Sequence, residues 1–231
     1  MGDMPRKARI APGGFIYHVF NRATGKLRLF GKETEYAAFE DLLIEAHQRH
    51  SIRLLAYCLT PNQWNFVVWP KKDHELSAFF RWLTHTHAMR ARVARHIVGE
   101  GQLYQGRYKN FPIQRNGHLL TVSGFVERQA LAAGLVKRAE KWRWSSLWAR
   151  EHGSEALQSI LPDWPVDRPA NWVKRLNEPI EPDDLSKLET CLKRSRPFGD
   201  DRWTAETVRR LHLEHTVRRE GRPAKTAQGG K

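Results

Sequence analysis

Within the stretch YCLTPNQWNFVVWP, residues 57–70, two amide side chains stand one residue apart, Gln63 and Asn65, with Trp64 between them. If this run is a strand, its side chains alternate between faces, so the two amides share a face and Trp64 takes the other. Amide oxygens can join a hard cation such as Mg²⁺, but neutral amides hold it weakly unless a charged group helps. A second kind of chemistry sits in YQGRYKN, where Tyr104, Arg107, Tyr108 and Lys109 interleave rings with cations. Such alternation can stack bases while gripping phosphates; it can equally pack the rings against a neighbouring helix. Farther up the chain, Arg81, His85, Arg92 and Arg95 fall within one narrow helical face at about 100° per residue. Phe79, Trp82, Leu83, Val93 and Ile97 fall opposite. A basic ridge of this kind suits a phosphate backbone, and it also describes an ordinary solvated helix face. His85 and His87, two residues apart on the same helix, diverge by about 200° and cannot chelate one ion. Near the end, Arg222 lies in a GRP segment of the kind that reaches into a DNA minor groove, or else belongs to a basic tail with only nonspecific attraction.

The elements that must position these residues follow from periodicity. Residues 15–20 read as a strand entered from the Gly13-Gly14 turn, and residues 33–50 as a helix with Tyr36, Phe39, Leu42, Leu43 and Ala46 on one side. Strands are expected at 52–59 and 63–69, joined by a Thr-Pro-Asn turn. A long helix is expected over 76–98, a short strand around the FPIQ run, and a helix over 118–133. The order is β-α-β-β-α-β followed by a further helix, which is the split βαβ, ferredoxin-like arrangement: α+β, with an antiparallel sheet and helices on one face. After about residue 150 the texture changes. Prolines at 162, 165, 169, 179 and 182 break up the chain, and two shorter helices and a basic tail are expected beyond them. We therefore divide the chain into residues 1–150 and a mainly helical, Pro-rich basic extension over 151–231.

Composition narrows the partners. The 231 residues carry 39 Lys and Arg against 25 Asp and Glu, a net charge of +14 that attracts polyanions, nucleic acid above all. No apolar run approaches the roughly 20 residues of a spanning helix, and the amino terminus lacks the hydrophobic stretch of a signal peptide. A membrane partner is not expected, and the cytoplasm, in association with the nucleoid, is the expected address. The two cysteines, Cys58 and Cys191, form neither a disulfide framework nor a zinc pattern.

Taken in order, YHVFNR (17–22), AYCLTPN (56–62), LTHTHAMR (83–90), LYQGRYK (103–109), LLTVSGFVER (119–128), AGLV (133–136), WPVDRPANWVKRLNEP (164–179) and RPFGDDRW (196–203) resemble the REP-associated tyrosine transposases, of the IS200-like HUH single-strand transposases. The resemblance runs over nearly the whole chain. It implies a ferredoxin-like domain that recognises single-stranded DNA folded into imperfect hairpins, usually palindromic repeats. It also implies a His-hydrophobic-His pair that binds a divalent metal, and a tyrosine on the later helix that attacks the phosphodiester. The metal would polarise the phosphate and the phenol would supply a covalent nucleophile.

At the positions of that chemistry the sequence departs from the family. Gln63 and Asn65 stand where the resemblance places the histidines, with Trp64 in the hydrophobic middle slot, and Phe125 stands at the tyrosine. Gly124, Gln129, Ala130 and Ala132 also differ from the usual flank. Gln129, one helical turn after Phe125, could add an oxygen to the two amides on the same face. Glu127 reads either as a metal neighbour or as a surface helix charge, and nothing marks His18 or His118 as a ligand. The expected function is binding of single-stranded hairpin DNA without cleavage. Arg81, Arg92, Arg95, Tyr104, Arg107, Tyr108, Lys109, Arg128 and Arg222 are the expected contacts. No cofactor is expected, with Mg²⁺ or Mn²⁺ required if any activity remains. Two alternatives stand beside this reading. One is an active transposase with amide ligands and a displaced nucleophile at Tyr104 or Tyr108; the other is a relic without function. Oligomeric state cannot be read from the sequence.

Overall fold

The computed structural model describes residues 11–96 and 101–218. Four strands, β1 (Ile16–Arg22), β2 (Arg53–Thr60), β3 (Gln63–Trp69) and β4 (Lys109–Ile113), form one antiparallel sheet in the order β2-β3-β1-β4. Helix α1 (Glu33–Arg49) connects β1 to β2, and α2 (Glu75–Ala94) connects β3 to β4. This is the expected ferredoxin-like order. The β2-β3 turn is held by Thr60, whose hydroxyl donates to the Gln63 carbonyl at 3.0 Å.

Both faces of the sheet are covered, which is why the central strands read as nearly continuous apolar runs. On one face Tyr17, Val19, Tyr57, Trp64, Phe66 and Val68 pack against α1 and α2 through Phe39, Leu43, Phe80 and Leu83. A register shift between Leu54 and Ala56 inserts an extra residue, so Leu54 and Tyr57 face this side while Leu55 and Ala56 face the other. On the second face lie Ile16, Ala56, Cys58, Val67, Phe111 and Ile113. They are covered by α3 (Gly117–Glu127), with Leu119, Val122 and Val126, and by Leu188 and Cys191 of a later helix. The expected helix over 118–133 is divided: α3 ends at Glu127, and a single turn, α4 (Gln129–Ala132), follows Arg128.

The remaining helices are α5 (Ser146–His152), α6 (Glu155–Ser159), α7 (Trp172–Asn177), α8 (Pro182–Arg194) and α9 (Asp201–Arg210). Helix α8 starts where Pro182 pre-sets the first turn and Asp183 and Asp184 complement the helix dipole; it ends where Ser195 turns left-handed at φ 60°. These later segments also cover the sheet edges, which would otherwise offer unpaired backbone groups. Along β2, Leu59 N donates to Trp144 O at 2.9 Å, and the indoles of Trp142 and Trp164 donate to Leu59 O and Leu55 O. Along β4, Phe198 exchanges backbone bonds with Pro112 and Gln114. Among the described residues, no helix is long and apolar enough to cross a membrane.

Candidate nucleic-acid interface

The period-two reading of β3 holds side chain by side chain. Trp64 is fully buried on the α1/α2 face, stacked on Phe80 at 5.5 Å. Gln63 and Asn65 line a cleft of about 600 Å³ on the opposite face. Phe125 and Gln129 approach from α3 and α4, Phe20, Asn21 and Arg22 from the end of β1, and Glu189, Leu192 and Lys193 from α8. The register explains the convergence: Phe20 pairs with Asn65 and Arg22 with Gln63 across the β1-β3 ladder.

The amides are bound to one another and to the scaffold. Gln63 Nε2 donates to Gln129 Oε1 at 3.0 Å, and Gln129 Nε2 donates to the Phe125 carbonyl at 3.2 Å. Asn65 Oδ1 lies 3.1 Å from His18 Nε2, so that nitrogen carries the proton and donates. Burial pushes the His18 imidazole down to about 3, only partly opposed by this bond, and keeps it neutral. Its ring packs among Phe20, Phe111 and Phe125. His18 Nδ1 and Asn65 Nδ2 are buried without a hydrogen-bond partner.

Beside the cleft runs a wider groove of about 870 Å³. Arg81, His85 and Arg92 line it from α2, and Arg107 and Lys109 from the segment before β4; among the described residues no Asp or Glu lines it. Gln105, Gly106, Arg107 and Lys109 line both cleft and groove. That segment is laced to the end of β1: Thr24 N donates to Leu103 O, Gln105 N to Arg22 O, and Asn21 Nδ2 to Gly106 O at 3.1 Å. The lacing turns Arg107 and Lys109 outward.

The same lacing corrects the reading of the two tyrosines. Tyr104 is 7% exposed and Tyr108 5%; both touch the groove but sit within the α1/α2 core, which leaves little ring surface on which a base could stack. The Tyr104 hydroxyl accepts from Trp64 Nε1 at 3.1 Å and lies 2.6 Å from His87 Nδ1. Burial raises its pKa and pushes His87 down to about 3, with the Arg95 charge adding to the effect. Arg95 leaves the basic ridge because α2 stops at Ala94. Its guanidinium instead donates to Glu35 at 2.7 Å and to the carbonyls of Arg28 and Leu29. Val93, expected among the apolar side chains, is 63% exposed. Arg128 points away from cleft and groove. Its Nε donates to Leu176 O at 3.3 Å, beside Trp172 of α7.

Glu127 is neither a metal neighbour nor a surface charge. It is fully buried and accepts from Ser146 Oγ at 2.6 Å and Trp172 Nε1 at 2.8 Å. Burial raises its pKa against those bonds and the charges of Arg150 and Arg168. His118 bonds Asn116. Arg222 and Ile97 lie outside the described residues. The cleft residues that sequence reasoning left out, Asn21, Arg22, Gln105 and Lys193, carry no spacing signal of their own. Only the β1-β3 register and the seat of α8 bring them there.

Residues 13–129 match the family model described as Transposase IS200 like. A solved REP-associated tyrosine transposase, bound to a REP hairpin, superposes with a TM-score of 0.53 at 16% identity, over 71% of this chain and 93% of that one. A candidate transposase of Deinococcus radiodurans R1 aligns with a TM-score of 0.37 at 17% identity, over 54% of this chain and 97% of that one. No curated protein matches the chain.

Proposed function

The chain belongs to the IS200-like transposase family, and on that premise we propose that it is a DNA-binding member of the REP-associated type, holding single-stranded hairpin DNA without cutting it. The observation that carries this reading is the content of the cleft. Gln63, Asn65 and Phe125 meet where the resemblance locates the metal pair and the nucleophile. A phenyl ring has no atom that can attack phosphorus. The donors do not fit Mg²⁺ or Mn²⁺, hard cations that favour charged oxygens in near-octahedral array. Asn65 Oδ1 and Gln129 Oε1 already accept hydrogen bonds, and among the described residues the lone carboxylate of the lining is the exposed Glu189. A displaced tyrosine is disfavoured by the burial of Tyr104 and Tyr108.

The binding half of the reading is supported by the groove, where Arg81, Arg92, Arg107 and Lys109 offer cations with no carboxylate beside them among the described residues. The hairpin held by the solved REP-associated transposase supports the substrate class. In this reading residues 1–150 bind the DNA, and the extension from 151 closes the second face of the sheet.

Fluorescence anisotropy at near-physiological salt tests the binding. A palindromic-repeat hairpin should bind more tightly than a scrambled single strand of equal length, and equal binding of the two would overturn hairpin recognition. Arg107→Ala with Lys109→Ala should weaken binding and lower the slope of log K against log salt by about 2. A denaturing gel with Mg²⁺ or Mn²⁺ tests the chemistry: no covalent protein–DNA adduct should form. Gln63→His, Asn65→His and Phe125→Tyr together would then ask whether only the reacting groups are missing.

A further inference from the structure

We propose that the amide cleft is a pocket for one unpaired nucleobase of the bound strand, held by its polar edge on Asn65 and Gln63. The inference rests on the reading of the chain as a DNA-binding protein and adds the ligand of the cleft itself. Its starting point is an anomaly. Asn65 is 2% exposed and lines the cleft, yet its amide nitrogen has no acceptor. Buried polar groups are almost always paired. Exchanging the amide's oxygen and nitrogen would move the defect to the oxygen without removing it, because His18 can meet only one of them. Gln63, on the same face about 6.6 Å along the strand, has its nitrogen committed to Gln129 and keeps its oxygen as an acceptor. The cleft therefore offers an acceptor from Gln63, and Asn65 holds an unmet donor, buried beneath the cleft surface, that a ligand reaches once the amide turns outward. Nucleobases present complementary donors and acceptors side by side on their edges, and Asn and Gln are the side chains that read them in this way.

The walls and the rim suit the same occupant. Phe20 and Phe125, both partly exposed, supply apolar ring surface against which a flat heterocycle can stack. Arg22, Arg107 and Lys109 stand at the rim, where the phosphates of a nucleotide turned base-inward would lie. Because Arg107 and Lys109 also line the basic groove, a strand lying in that groove passes the mouth of the cleft. A volume of about 600 Å³ falls within the roughly 300–1,000 Å³ of small-ligand sites. A phosphate or a bare cation is the poorer occupant of the floor, where no cation lies among the amides and rings and the amide oxygens are largely engaged.

The test uses the full chain and a hairpin with a single-stranded flank, scanned one flank position at a time with an abasic site. One position should stand out, its abasic version binding about tenfold more weakly than the intact strand. At that position 2-aminopurine should change its fluorescence on binding. Asn65→Ala should bring the intact strand down to the affinity of the abasic one and should not weaken the abasic one further. Gln63→Ala, at a half-buried position, provides the same comparison should Asn65→Ala not fold. Tight hairpin binding that no abasic position alters would overturn the pocket while leaving the DNA-binding reading intact. Failure to bind any oligonucleotide would overturn both.

Discussion

The two faces of β3 carry polar groups of the same general kind in opposite states. Behind the strand, the Trp64 indole, the Tyr104 hydroxyl and His87 form a chain in which each group meets the next, sealed by Phe39, Phe66 and Phe80. In front, Gln63 pairs with Gln129 and Asn65 with His18, and nothing joins the two pairs, so Asn65 Nδ2 and His18 Nδ1 are buried behind the cleft without partners among the described residues. One residue of offset along the strand separates the two. A completed network stabilises its own core and has nothing left to offer a ligand. An incomplete one costs stability and retains the capacity to recognise something.

The comparison predicts unequal responses to small changes. The largest belongs to the completed side. Tyr104→Phe strands two buried partners at once, at about 1–3 kcal/mol each, so urea unfolding should show a loss on the order of 2–6 kcal/mol with hairpin affinity of the folded protein unchanged. Over any one pH unit, acid titration should give an intermediate effect on the open side. The fold holds the pKa of His18 at about 3 against an ordinary 6.5. The neutral ring's contribution is thus complete above 6.5 and is lost as pH falls toward 3. The stability advantage of the wild type over His18→Gln should therefore shrink by about 1.4 kcal/mol per pH unit below 6.5. A pH-independent difference in denaturant unfolding would mean that His18 takes up its proton as readily in the fold as in the unfolded chain. The smallest response is expected from Phe125→Tyr alone. Its ring is partly exposed in the cleft, so stability should move by no more than about 0.5 kcal/mol, and no covalent adduct should appear on a denaturing gel. An adduct from this single change would show that the amides suffice as metal ligands, and would break the reading of the front face as a non-reacting site.

How far the chain could be read in advance depended on the range of the forces involved. Gln63 and Asn65 on one face, Trp64 on the other, the strand bounds of β3 and the ferredoxin-like order are consequences of local periodicity, which every few residues declare by themselves. Residues Tyr104 to Lys109 show where that ends. Their alternation of rings and cations is visible in the sequence, but which set faces water depended on hydrogen bonds to residues 21–24, more than 75 positions earlier. Those bonds turned the tyrosines inward and left Arg107 and Lys109 outside. Arg95 was diverted in the same way, because the helix ended one residue before it and Glu35 lay within reach. Glu127 read in the sequence as either a metal neighbour or a surface helix charge, and became buried because Ser146 and Trp172, 19 and 45 residues downstream, donate to it. The sequence by itself determined which residues share a strand or helix face, since that is set by backbone geometry. Only the tertiary structure decided which polar groups find partners and which are left without one, since that depends on elements far apart in the chain arriving at the same place.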